Sequence, residues 1–208
     1  MGVEGEYEPG SHGRVLRNLL GISRKREMDQ REMDSLSRVT QLYFSRVSPE
    51  TAFTADFVRA MHGDWLGGIY QWAGKYRTVE VSKAGFVWPP AVRVPENMRD
   101  FEAKVLRKFT PCRPADLVTV AGAMAQVQSE LLLVHPFREG NGRIARWLTD
   151  LMAMQAGYAN VKYRFTGRGN GIARRNYLHA VVQGYQQNYE PLARLLAAGL
   201  DLALRRLG

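Results

Sequence analysis

The spacing of apolar positions predicts helices over most of the chain. Leu36, Val39, Tyr43 and Val47 recur at i, i+3, i+7 and i+11, an amphipathic stripe on a helix that begins near Arg26 and stops at Ser48-Pro49. Thr54 suits the N-cap of a second helix carrying Phe57, Val58, Met61, Trp65 and Ile69. The period then changes. Residues 78–82 alternate, Lys83-Ala84-Gly85 reads as a turn, and Phe86-Val87-Trp88 follows before two prolines, so residues 78–88 predict a short hairpin. An isolated two-stranded hairpin is marginally stable, so this one must lean on a helical body. Residues 95–108 predict a helix with Met98, Phe101, Val105 and Leu106 inward. Residues 115–134 are apolar nearly all round, the pattern of a buried helix, and Pro136 stops it. Ile144, Trp147, Leu148 and Leu151 then mark a core face, with Arg143, Arg146 and Asp150 on another. Two more helices are predicted over residues 172–188 and 191–206, with Pro191 in a first turn and Arg205-Arg206 at a C-terminus. Residues 1–14 show no periodicity and read as a flexible or irregular arm. The expected fold is mainly α, a single domain over residues 1–208.

Composition changes this picture little. With 45% hydrophobic residues in 208, the chain can bury one good core. No stretch near 20 residues is continuously apolar and the first twenty residues lack a secretory apolar region, so neither a membrane span nor a signal peptide is expected. One cysteine, Cys112, excludes an internal disulfide and fits a reducing compartment such as the bacterial cytoplasm. The net charge of +9 invites a nucleic-acid reading. The basic residues are scattered, however, with small clusters at Ser23-Arg24-Lys25-Arg26 and Arg174-Arg175, and no nucleic-acid motif accompanies them. A nucleotide enzyme, or one acting on an acidic protein, needs positive field too. Nucleic acid is therefore not expected as a direct partner.

Residues 135–146 carry the chemistry: His135-Pro136-Phe137-Arg138-Glu139-Gly140-Asn141-Gly142-Arg143-Ile144-Ala145-Arg146. His135 can take a proton near neutral pH, and Glu139 is the hard oxygen ligand that Mg²⁺ prefers. Gly140-Asn141-Gly142 lets the backbone bend so that N–H groups converge on one anion, and a helix starting there adds its positive end. Arg143 and Arg146 share a helical face and can grip phosphate oxygens through bidentate forks. Taken singly these are a loop histidine, a turn and a solvated face; together at this spacing they predict a nucleotide site. His12, His62 and His179 read as surface or packing residues.

The same residues resemble, without a gap, the signature of the Fic (filamentation induced by cAMP) family, His-x-Phe-x-(Asp/Glu)-Gly-Asn-Gly-Arg-x-x-Arg. Ile69-Tyr70-Gln71-Trp72-Ala73-Gly74-Lys75-Tyr76-Arg77-Thr78 resembles the stretch leading into the family's active-site flap. Val15-Leu16-Arg17-Asn18-Leu19-Leu20-Gly21-Ile22 resembles the N-terminal segment of its bacterial toxins and effectors. The resemblance implies a Fic-type helical bundle with a β-hairpin flap, and transfer of AMP from ATP to a hydroxyl of a target protein. It implies that His135 is the general base and that Glu139 holds Mg²⁺. Gly140, Asn141 and Gly142 would hold the phosphates, with Arg143 and Arg146 on the outer ones. Phe137 would anchor the loop in the core, and Lys83 and Phe86 would belong to the target-positioning flap. Phosphorylating members carry Lys where this chain has Gly142, which favours AMP transfer. Family targets are gyrase and topoisomerase IV for toxins, or small GTPases for effectors delivered into host cells without a signal peptide. Many members also hold an inhibitory (Ser/Thr)-x-x-x-Glu-(Gly/Asn) helix whose glutamate pairs with the second motif arginine, here Arg146. No glutamate follows Glu190, and the nearest N-terminal match, Ser23 to Glu27, continues with Met28. A separate small antitoxin-like protein is therefore expected to supply the inhibitory glutamate. Transfer of another phosphate-linked group, or a non-catalytic nucleotide- or nucleic-acid-binding module, are the alternatives.

Overall fold

Residues 3–83, 85–163 and 170–205 are described by the computed structural model. Among them seven helices run in the order α1 (Lys25–Arg46), α2 (Ala55–Leu66), α3 (Val94–Phe101), α4 (Leu117–Val134), α5 (Asn141–Gln155), α6 (Gly171–Gly184) and α7 (Glu190–Leu204). Strands β1 (Ser82–Lys83) and β2 (Phe86–Val87) form an antiparallel hairpin between α2 and α3, with Ser82 opposite Val87 and Lys83 opposite Phe86. The fold is mainly helical with one small hairpin, as the periodicity predicts. Residues 1–2, the turn residue Ala84 and the terminal Arg206 lie outside the described residues.

Helix α4 is the central rod. Asp116 caps it, its carboxylate accepting from the Val118 and Thr119 N–H groups at 3.0 Å each. Helices α3, α5, α6 and α7 all pack on it. By length and composition α4 could cross a bilayer, but Val120, Ala121, Met124, Val127 and Leu131 are buried among those helices. It is accounted for as the core helix of a globular body. The buried side chains form one cluster from Val15 to Leu200.

Three expectations need correction. Val81 O still accepts from Trp88 N–H across the hairpin (3.2 Å), but residues 78–80 do not extend it, because their polar groups are engaged elsewhere. Thr78 N–H and Oγ1 donate to the Glu4 carboxylate (3.0 and 2.6 Å), Val79 O accepts from Arg77, and the Glu80 carboxylate accepts from Ala91 N–H. The same Glu4 contacts dock the N-terminal segment, which is irregular but not loose: Tyr7 pairs with Leu16, and Ser11 is buried. The helix expected over 95–108 leaves α geometry after α3, passing through a π turn (Glu102–Leu106) before Arg107–Phe109. There the Glu102 carboxylate accepts from Ala55 N–H at the start of α2 (2.9 Å).

Candidate active site

The loop between α4 and α5 begins at His135, the C-cap of α4, whose backbone is left-handed at φ 51°. Asn141 closes it. Phe137 N–H donates to Asn141 Oδ1 (2.9 Å) and Asn141 Nδ2 donates to Phe137 O (2.7 Å), so both polar ends of this buried amide serve the loop itself. The Asn141 side chain thus serves the loop, which satisfies its own buried backbone first, and the backbone N–H of Asn141 stays at the head of α5. Gly140 caps α5 at φ 86°, and a Cβ there would lie 2.7 Å from the Trp65 ring, so only glycine fits. The N–H groups of Arg143 and Ile144 turn back to Gly140 O (2.9 and 3.0 Å). Those of Asn141 and Gly142 stand ahead of these bonds, at the positive end of the helix.

Phe137 is fully buried and stacks face to face on His62 at 3.9 Å. His62 Nδ1 accepts from Gly74 N–H (2.8 Å), which leaves Nε2–H to donate to Glu139 O (3.2 Å). Burial pulls its pKa down to about 4. His62 is thus a packing residue, and it pins the loop from beneath.

The His135 ring lies 3.9 Å from the Trp88 ring and its Nδ1 is 3.2 Å from Leu132 O. Donation to that carbonyl places the proton on Nδ1 and leaves Nε2 as an acceptor. Burial, with the Arg77 cation as a smaller contributor, lowers the pKa to about 4, so the ring is neutral at pH 7. Leu132 O also accepts from Trp88 Nε1 (2.9 Å) and Tyr185 OH (3.4 Å), joining base, hairpin and α6 at one carbonyl.

Glu139 is half exposed, with Oε1 accepting from Gly140 N–H at 3.0 Å. Arg143 lies with its guanidinium carbon 4.5 Å from the Trp65 ring centre; Nη1 meets Glu32 Oε2 at 2.5 Å and Nη2 is 3.6 Å from Glu139 Oε1. Arg146 lies 5.9 Å from the Tyr163 ring centre and in polar contact with Tyr177. One turn on, burial raises the Asp150 carboxyl to a pKa of about 7 while it accepts from Val161 N–H (3.0 Å). Arg146 is therefore engaged within the chain. Glu27 is exposed near the start of α1.

The hairpin is tied to this loop by Arg77, whose side chain has no exposed surface. Its Nε donates to His135 O (2.8 Å), Nη1 to Val79 O (3.1 Å) and Nη2 to Pro89 O (2.6 Å), while its backbone N–H donates to Pro136 O (2.8 Å). One guanidinium therefore holds the catalytic loop and both feet of the hairpin. Phe86 packs on Trp88 and Tyr185, each at 5.1 Å, and Lys83 is exposed on β1 with its charge felt at His135.

Residues 52–153 match the family model for Fic/DOC. This chain carries a Fic/DOC domain. It is 25% identical over 186 residues to "Protein adenylyltransferase VbhT" of Bartonella schoenbuchensis, covering 89% of this chain but only 37% of that protein. It is 27% identical over 191 residues to "Probable protein adenylyltransferase y4lH" of Sinorhizobium fredii, covering 89% and 90%. Among solved structures, the BepC effector of Bartonella tribocorum with bound AMPPNP superposes with a TM-score of 0.75 at 19% identity, covering 94% of this chain and 96% of that one. At that identity the likeness establishes the fold.

The Fic domain's signature residues are thus brought together at one helix end. Its supports lie outside that signature. Arg77 falls in the stretch read as a lead-in to the hairpin, and nothing local distinguishes it from a solvated arginine. Glu32 does carry a signal: it sits four residues before Leu36, a carboxylate on an apolar stripe. Both Glu32 and Glu4 lie outside residues 52–153.

Proposed function

We propose that the chain is a protein adenylyltransferase that moves AMP from ATP onto a side-chain hydroxyl of another protein. The observation that carries this reading is that a neutral His135 and the Glu139 carboxylate stand on one loop running into the head of α5, with Arg146 in the next turn of that helix. The names of the two relatives support it. In the reaction the target oxygen attacks the α-phosphorus, the bond to the β-phosphate bridge breaks, and pyrophosphate leaves. Nε2 of His135 takes the hydroxyl proton as that attack develops. Backbone N–H groups at the head of α5 offer fixed donors to phosphate oxygens, and Arg143 and Arg146 flank them. Glu139 suits Mg²⁺, an ion that keeps several waters and is commonly held by one or two carboxylates plus substrate phosphates. Such an ion would neutralise charge on the departing phosphates. Among the described residues no cluster of three or more His, Cys, Asp or Glu forms a dedicated cage, in keeping with an ion carried largely by the nucleotide.

Gly142 supports AMP transfer over phosphorylation. A Cβ there would already stand 3.5 Å from Arg146 Nη1, so a lysine would set a second cation beside the first. The hairpin, with Lys83 and the 68%-exposed Val87, is the proposed platform for the target segment, by main-chain pairing to its short edge. For regulation we propose a separate small antitoxin-like protein bearing the inhibitory glutamate; it is favoured by the nearest match to an inhibitory helix within residues 1–208, Ser23 to Glu27, continuing with Met28. Its glutamate must compete with Tyr163 and Tyr177 for Arg146. The target, gyrase or topoisomerase IV against a small GTPase, follows from whether the enzyme acts in the bacterium or in a host cell.

The decisive experiment incubates the chain with Mg²⁺, bacterial lysate and ATP labelled at the α-phosphate. Label should pass to a protein band, and His135→Ala should reduce transfer by about 10²–10⁴-fold. Transfer only from γ-labelled ATP would assign phosphorylation instead.

A further inference from the structure

We infer that Glu32, on α1, is a positioning residue for the nucleotide phosphates and acts through Arg143; this rests on the adenylyltransferase reading. The Glu32 side chain is 6% exposed, and each carboxylate oxygen has a donor: Tyr70 OH on Oε1 (2.6 Å) and Arg143 Nη1 on Oε2 (2.5 Å). Its backbone carbonyl accepts from Trp65 Nε1 (2.8 Å), and the Trp65 ring in turn carries the Arg143 guanidinium on its face and touches Gly140. Glu32, Trp65 and Arg143 therefore form a closed frame under the first turn of α5. A free arginine samples many rotamers, and a fork held at one nitrogen and stacked on an indole loses little further freedom when it binds. Held this way, Arg143 keeps Nη2 on the Glu139 side of the loop, 3.6 Å from the carboxylate proposed to carry Mg²⁺.

The opposite role, a carboxylate that competes with phosphate for Arg143, would require Glu32 to let go. Its burial, its Tyr70 partner and its Trp65-anchored backbone all oppose release. The contribution also comes from outside residues 52–153, so α1 completes a site that the matched region leaves unfinished.

The test measures Mg²⁺·AMPPNP binding to the full 208-residue chain by calorimetry, with thermal unfolding recorded alongside. Glu32→Gln keeps the shape and the Tyr70 contact but removes the charge. It should weaken AMPPNP binding by about 10–100-fold, as loss of a partner that orients a binding group does. In an Arg143→Ala background the same change should weaken binding no further, because residues acting through one another are non-additive. Wild-type affinity in Glu32→Gln, tighter binding, or full additivity in the double variant would each overturn the inference. Should Glu32→Gln fail to fold, Tyr70→Phe carries the test. It frees one carboxylate oxygen and keeps the ion pair, and roughly threefold weaker binding is expected, with unchanged binding overturning the inference. A wild-type chain that does not bind AMPPNP overturns the adenylyltransferase reading itself, an outcome distinct from equal binding by wild type and Glu32→Gln.

Discussion

The reactive loop and the frame that holds it differ in how their residues are spread along the chain. Residues 135–146 are contiguous, so spacing alone displays an imidazole, a carboxylate, a glycine turn and two guanidinium groups. The frame draws Glu4, Glu32, His62 and Arg77, all buried, from four separate segments, and each makes a polar contact with the loop or the helix that follows it. The loop supplies chemistry to solvent and ligand. The frame supplies geometry, and it does so with groups that would be costly to bury singly. The lesson is that a short motif can be chemically complete and mechanically unsupported until long-range contacts form.

If the frame matters as much as the loop, the largest stability loss should come from Arg77. Arg77→Ala strands the carbonyls of Val79, Pro89 and His135 in a buried space. A loss on the order of 3–5 kcal/mol in denaturant unfolding is expected, because each unsatisfied buried acceptor costs about 1–3 kcal/mol. A variant as stable as wild type would remove the distinction between loop and frame. Gly140→Ala probes their junction: it combines left-handed strain with overlap on Trp65, for a loss of about 2–4 kcal/mol by the same assay.

Acid should act on both regions together. His62 and His135 have folded pKa values near 4, below the ordinary 6.5, so between these values the unfolded chain binds more protons. Stability should be complete above pH 6.5 and fall as pH drops toward 4, by on the order of 1–3 kcal/mol for each histidine. Thermal unfolding across that range checks it, and His62→Gln should flatten the slope. The smallest effect sharpens the regulatory side. Glu27→Gly should leave AMP transfer unchanged, and a large rise would place an inhibitor within the chain.

Much of the fold is readable because burial follows period: the stripe on α1, the all-round apolar α4 and the helix start at Thr54 all follow from spacing and capping. Alternation at residues 78–82 predicts a longer hairpin than forms, because it says nothing of where Thr78 and Glu80 find their hydrogen-bond partners. The structural duty of Asn141 is hidden for a related reason: its amide suits an anion chemically, and only the folded loop reveals that Phe137 bonds both ends. Arg146 likewise meets two tyrosines, one from the segment before α6 and one on it, a meeting that spacing within residues 135–146 cannot display.

Every hydrogen bond that Arg77 donates ends on a main-chain oxygen. Such an anchor is indifferent to which side chains stand at the anchored positions. The exposed residues of the hairpin, Lys83 and Val87 among them, can therefore be exchanged without loosening its grip on His135. The outer face of the hairpin is thus mechanically uncoupled from the loop beneath it, and its composition can drift while the position of His135 stays fixed.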